Sequence, residues 1–378
     1  MALTSVGPVL DDLRAGLGLS HAGAGALTTL PLLCFAGAGA AVPWLARRIG
    51  AELSLLAGML TLAAGAGLRI VPELAPVFLG TFVLGVGIAV ANVLMPVVIK
   101  REWARPGAMM GGYVSVMSGG AALAAGLAVP LEHALGSWEA ALAIWALPAL
   151  VAAFVWLPVA QAERRRRAAG HEVERHEAIS VRGDRTAWSL TILFAGQSVL
   201  FYTVVTWMAE LLRDAGMSDA KAGAMVSIFL LLGIPFALLG PMFAARVPDQ
   251  RPIVLFLGVL WTIGFVGLLV SRTGLAPLWM VILGVTQGGS FAVAMTLVIL
   301  RAPDGAHATA LAGLVQGIGY IVAAAAPLVM GALHDLAGGW TTVLWALIAV
   351  SLLMWLGGLR AAAPGVVRGR RKAAGYEA

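Results

Sequence analysis

The residues of this sequence that could do chemistry are polar side chains set inside long apolar runs. Asn92 lies in the middle of one run, and Tyr113 and Ser115 lie in the next. Gln197, Ser198, Tyr202 and Thr203 share a run, and Gln287 stands in another. Gln316 and Tyr320 are four apart, which puts them on one face of a helix. Amides and phenols donate and accept hydrogen bonds without carrying charge. Together they would make a neutral site for a small polar solute. Polar groups inside apolar spans are costly and face a cavity or another helix. Each therefore either touches solute or makes an interhelical hydrogen bond worth about 1 kcal/mol. No Asp or Glu stands at mid-run. Asp12, Glu132 and Glu210 fall near run ends, and Glu132-His133 is the nearest approach to a proton relay.

Enzymatic chemistry has little to work with. His171, Glu172 and His176 lack HExxH spacing and sit in a polar stretch that reads as a solvated linker. Gly37, Gly39, Gly85 and Gly87 lie inside apolar runs, where close helix packing explains them better than a phosphate loop does. A Gly-Lys-Ser/Thr motif is absent, so ATP is not the expected energy source, and no cofactor or metal is expected. Cys34 is the single cysteine, which excludes an internal disulfide or a Cys-rich metal site.

The elements that hold these residues follow from composition. Of 378 residues, 60% are hydrophobic and 12% charged, and the mean hydropathy is +0.91. Soluble domains carry about 25% charged residues, so lipid must be the solvent for most of this chain. Apolar runs at 22–45, 53–70, 75–99, 109–131, 138–157, 188–211, 222–243, 253–270, 278–300, 308–333 and 340–359 are each long enough to span as helices. They are too long, and too uniformly apolar, for barrel strands. Residues 1–10 make half a spanning helix, followed by a polar loop at Asp11, Asp12 and Arg14, and Ser20 is placed to cap the next helix. Trp44, Trp103, Trp138, Trp156, Trp188, Trp207, Trp279 and Trp340 fall near run ends, as an interfacial belt would place them.

One stretch divides the chain. Residues 161–186 stay polar and include Arg164, Arg165, Arg166 and Arg167 in a row. With this linker taken as cytoplasmic, all but Arg14, Arg69, Arg213, Lys221 and Arg272 of the 25 Lys and Arg residues fall on its side of the membrane. The acids split almost evenly. That bias is the positive-inside rule rather than a nucleic-acid stripe, although the net charge is +6. The organisation is therefore a helix bundle at 1–160, a linker at 161–186, a second bundle at 187–361 and a polar, disordered tail at 362–378.

The bundles read as copies. At a shift of 198, Gly18-Leu19-Ser20 falls on Gly216-Met217-Ser218, Pro43 on Pro241 and Arg48 on Arg246. Gly136-Ser137-Trp138 matches Gly338-Gly339-Trp340 at a shift of 202. Parallel duplication places a substrate site where the halves meet, near mid-membrane. It also leads us to expect that the first half of helix one precedes Met1, which the upstream genomic sequence would test.

Several motifs carry a family resemblance. They are Ala2-Leu3-Thr4-Ser5-Val6-Gly7-Pro8, Leu27-Thr28-Thr29-Leu30-Pro31, Gly85-Val86-Gly87-Ile88-Ala89, Met95-Pro96-Val97-Val98-Ile99-Lys100-Arg101, Gln287-Gly288-Gly289-Ser290-Phe291 and Gln316-Gly317-Ile318-Gly319-Tyr320. The chain resembles the cyanate permease and 2-nitroimidazole transporter family, a branch of the major facilitator superfamily. The resemblance implies an all-α integral membrane fold of two six-helix bundles, both termini cytoplasmic, and alternating access. It implies that helices one, four, seven and ten line the cavity, which favours Asn92, Gln197 and Gln287. Family members carry an Asn-x-Arg-Pro-like stretch before Thr-Ser-Val-Gly-Pro that this sequence does not include. Arg69 resembles a family position but is expected near the outer surface. Leu45 to Gly50, with Arg47 and Arg48, resembles the superfamily's gating loop without its usual Asp; Lys100, Arg101 and Arg246 belong to the same cytoplasmic side.

The reading is a secondary transporter for a small polar or anionic solute, cyanate-like, with a multidrug or nitroaromatic exporter as the alternative. The expected partners are the solute, the lipid bilayer and a coupling ion such as the proton, with no nucleic acid and a monomeric chain. A membrane-embedded enzyme would need clustered His or acids at mid-depth, and a channel would not need the duplication.

Overall fold

The computed structural model describes residues 2, 4–6, 9–19, 21–169 and 179–371. Among them are thirteen helices: α1 (Leu10–Leu17), α2 (His21–Ile49), α3 (Ala51–Leu68), α4 (Leu74–Glu102), α5 (Pro106–Leu135), α6 (Trp138–Ala143), α7 (Ala146–Ala168), α8 (Arg185–Asp214), α9 (Asp219–Ala244), α10 (Arg251–Val270), α11 (Ala276–Arg301), α12 (Gly305–Ala337) and α13 (Trp340–Ala362). Two strands of two residues each, β1 (Ile179–Ser180) and β2 (Arg370–Arg371), pair beside them.

Among the described residues, nine spans are long and apolar enough to cross a membrane, α6 and α7 together making one, and the count rises to eleven with two bent helices. Eleven is the number of full-length runs in the sequence. α2 bends by 56° between Leu30–Gly37 and Ala41–Ile49, with Pro31 and Pro43 inside it. α5 bends by 46° between Ala108–Ala121 and Gly126–Leu135, with Pro130 inside the second arm. An interior proline removes one ladder hydrogen bond and clashes with the preceding turn, so bends gather there. Large apolar side chains face outward: Phe154 is 77% and Leu336 88% exposed. Only hydrocarbon tolerates such a surface.

Local sequence sets the helix ends. Asp184 starts α8 by accepting from the amides of Thr186 at 2.6 Å and Ala187 at 3.1 Å. Asp304 starts α12 by accepting from the His307 amide at 2.9 Å, and Ser137 starts α6 from the Ala140 amide at 3.2 Å. Arg47, Arg48, Lys100, Arg101, Arg301 and Arg360 lie in last turns, where cations suit the helix dipole. The same stop recurs at the matched positions of the repeat. Gly18 and Gly216 both have positive φ, and the next amide reaches back five residues at 3.0 Å, Leu19 to Arg14 and Met217 to Leu212. Gly136 and Gly338 repeat a positive φ at the other match, at 74° and 69°.

The chain divides into two compact units. Unit 1 is 1–98, 117–179 and 371–378; unit 2 is 99–116 and 180–370. In unit 1, Val6, Val9, Leu13, Leu27, Val77, Ala128, Trp138 and Leu142 form a buried cluster. α3 and α4 touch backbone to backbone, and a Cβ at Gly65 would lie 2.6 Å from the Gly80 carbonyl. In unit 2, α8 packs on α12 and α13, α11 on α9 and α10, and α10 on α13. Lipid offers no hydrophobic drive between helices, so close approach of small residues supplies much of the association.

Some expectations need correction. The half-span expected at 1–10 is not seen among the described residues there. The described residues from 2 to 6 are turns, and the helix is α1, which includes Asp11, Asp12 and Arg14. The first part of the 161–186 stretch is helical. α7 runs on through Glu163 to Ala168, because Glu and Arg are good helix formers and neither Gly nor Pro falls between Gln161 and Ala169. The tail is ordered as far as Arg371. The Val367 amide donates to Arg301 O at 2.8 Å, the Arg368 amide to Asp184 Oδ2 at 2.8 Å, and β2 pairs with β1. Trp138 and Trp340 are buried rather than interfacial, and Trp340 Nε1 donates to Asp214 at 2.7 Å. The Ser20 cap, His171, Glu172, His176 and Lys372 lie outside the described residues.

Candidate functional site

The candidate site is in unit 2 and is built on α8, α11 and α12. Phe194 of α8 is its centre. Its ring meets Tyr320 of α12 edge-on at 5.2 Å and Phe291 of α11 at 6.0 Å. The ring lies against Gly319, where a Cβ would overlap it. One turn along α8, Gln197 is buried and donates through Nε2 to Ser198 Oγ at 2.6 Å. Gln316, one turn before Tyr320, is also buried. Tyr113, near the start of α5, belongs to unit 2. Thr203 is buried and its hydroxyl has no hydrogen-bond partner, which leaves a donor and an acceptor for a polar guest.

Two sequence candidates stand apart from this group. Gln287 of α11 turns to α9, where it packs on Gly233 so closely that a Cβ there would overlap its amide. Asn92 of α4 belongs to unit 1, half-buried. Tyr202 is also half-buried, its ring against Phe201 at 5.1 Å. A cleft of about 460 Å³ opens elsewhere in unit 2, at the turns after α8 and α10, lined by Met217, Ser218, Lys221, Thr273 and Pro277. It shares no residue with the aromatic cluster.

The loop basic residues have defined settings. Arg48 lies over the Trp44 ring at 4.3 Å, beside Arg47 in the last turn of α2. Lys100 donates to two carbonyls at the end of α11, Ile299 O and Ala302 O, both at 2.9 Å. Arg101 pairs with Glu102 at 2.7 Å, and Arg246 is exposed just beyond α9. Outside the spans, Asp304 titrates below the usual carboxylate range: burial acts to raise it, and hydrogen bonds from the His307 amide and ring outweigh that.

Two arginines at the ends of apolar runs are buried. Arg301 donates to Ala361 O at 2.6 Å, Ala362 O at 3.1 Å and the Gln250 side chain, tying α11 to α10 and α13. Arg69 follows α3, has no exposed surface and donates through Nη1 to Ala2 O at 2.8 Å. Hydropathy could not separate these two from surface arginines, because a run-end position suits either.

The model of the Major Facilitator Superfamily matches residues 1–324 and 212–375. The chain belongs to the major facilitator superfamily. It is 40% identical to the uncharacterized transporter YycB of Bacillus subtilis, over 94% of this chain and 89% of that one. It is 34% identical to the 2-nitroimidazole transporter of Escherichia coli, over 95% and 91%. It is 32% identical to the cyanate transport protein CynX of Escherichia coli, over 89% and 87%. In fold it is similar to the proton:xylose symporter XylE, with a TM-score of 0.72 at 15% identity over 96% of this chain and 90% of that one. This facilitator is thus a multi-pass membrane protein and a transporter of small solutes, not an enzyme.

Proposed function

We propose that the protein is a secondary active carrier that moves a small polar or anionic solute, cyanate-like in size, across the cytoplasmic membrane by alternating access. The observation that supports this reading is the packing of Phe194 on Tyr320 and Phe291, with the buried amides of Gln197 and Gln316 one turn away, in the apolar helices of unit 2. Tyr113 and Tyr202 are proposed as further solute contacts. These groups bind through hydrogen bonds and ring edges, and none offers nucleophilic or metal chemistry. Asn92 and Gln287 complete the proposed solute contacts. Arg47, Arg48, Lys100, Arg101 and Arg246 are proposed as cytoplasmic gating residues. The bundles are assigned to 1–160 and 187–361, joined by 161–186 and followed by the tail 362–378, with both termini cytoplasmic on the strength of the Lys and Arg bias. The carrier works as a monomer in the lipid bilayer, with protons as the candidate coupling ion.

A second reading, export of nitroaromatic compounds, is favoured by the rings of Phe194, Phe291 and Tyr320, which suit a planar guest. The relative named for 2-nitroimidazole supports it as the relative named for cyanate supports the first. Proteoliposome uptake of labelled cyanate, against a panel of small anions and nitroimidazoles, with and without a proton gradient, decides between them. Saturable cyanate or anion uptake driven by the gradient is expected. Uptake of nitroimidazoles alone moves the assignment to the second reading, and no flux of any member ends both.

A further inference from the structure

The end of α3 holds a guanidinium wholly inside unit 1. Arg69 is 0% exposed, its Cγ rests where a Cβ of Gly80 would press, and Nη1 donates to Ala2 O at 2.8 Å. The same carbonyl accepts from the buried Ser5 hydroxyl at 3.5 Å. Nε and Nη2 have no hydrogen-bond partner, and no carboxylate among the described residues pairs with them. A buried cation left uncompensated is strongly unfavourable, and the remedy is an anion that fits.

The two orphaned nitrogens are not an arbitrary pair. Nε–H and one Nη2–H point in parallel along a single edge of the planar guanidinium. That edge is the fork that grips two oxygens at once, and lysine cannot reproduce it. A linear anion presents one terminal atom to the fork, whereas a planar group with two oxygens fills both positions.

We propose that Arg69 binds a planar two-oxygen anion, a carboxylate or nitrate, through its Nε–Nη2 edge while Nη1 stays anchored on Ala2. The Ala2 carbonyl that holds Nη1 belongs to a turn and not to a helix. The proposal rests on the carrier reading and narrows its solute class.

The test is binding, not flux. Thermal unfolding of the purified full-length protein in detergent is followed at constant ionic strength with sodium benzoate, sodium nitrate or sodium cyanate, chloride being the balancing salt. Benzoate and nitrate are expected to raise Tm saturably, by about 3 °C at ten times Kd, and at lower concentrations than cyanate. Arg69→Lys keeps a charge that can reach Ala2 O but loses the fork. It is expected to weaken benzoate and nitrate binding about tenfold and to erase their advantage over cyanate. A wild-type protein that shows no saturable shift with benzoate or nitrate overturns the proposal without need of a variant. So does an Arg69→Lys protein that keeps the full preference. A retained shift with no uptake of any solute counts against the carrier reading alone, and cyanate uptake with no shift counts against this proposal alone.

Discussion

At the residue scale, the site is a matter of which polar atoms are already spoken for. Gln197 commits one amide hydrogen to Ser198, and Gln287 is pressed on Gly233. Tyr320 is held by ring packing on Phe194, so its ring position does not depend on its hydroxyl. Tyr320→Phe therefore isolates the hydroxyl. It should raise KM for the transported solute about five- to tenfold, as loss of a single hydrogen bond of about 1 kcal/mol would, with expression unchanged. Gln197→Ala should do the same. Wild-type uptake in both variants would remove this cluster from the solute path. The sequence indicated these residues because an amide or phenol deep in an apolar run is conspicuous. It could not indicate Phe194 or Phe291, which look like any other apolar residue. Nor did it reveal that Arg69 is enclosed, because burial at a helix end depends on neighbours far along the chain.

At the element scale, close packing of small residues holds the site's helices. α9 and α11 cross where Gly233 faces Gly288 and Gln287, and a Cβ at Gly288 would run into the Gly233 carbonyl. Backbone cannot yield as a flexible side chain can. Gly288→Ala should therefore cost about 1 to 3 kcal/mol and push Gln287 off its seat. Gly112→Ala, in the start of α5, meets nothing within 4 Å and serves as the control. Thermal unfolding in detergent separates the two; equal midpoints would mean that the crossing is looser than it stands. Span count and order were legible because about 20 apolar residues can only be a crossing helix. The bends in α2 and α5 were foreshadowed by Pro31, Pro43 and Pro130. The run of α7 through its arginines was hidden, because charge was read as loop, yet arginine favours helix once a helix is under way.

At the scale of the whole molecule, duplication and charge bias decide how the chain lies in its membrane. The paired stops at Gly18 and Gly216, each closed by an amide reaching back five residues, are the repeat made physical. Two copies of one bundle carry little that tells inside from outside, so orientation rests on the Lys and Arg residues near the span ends. Arg164 to Arg166 project from the last turns of α7 as exposed side chains. Their proposed role is topological. Changing Arg164 through Arg167 to Glu should split the population between two orientations and leave solute affinity of the correctly inserted molecules unchanged. Cys34 is the only cysteine, so Cys34→Ser gives a background in which one cysteine placed in the tail reports its side. A membrane-impermeant thiol reagent applied to intact cells should label the tail only in the charge-reversed protein. Labelling that stays absent while affinity falls would make the arginine run part of the solute path, and the assignment of 161–186 as a linker would fail with it.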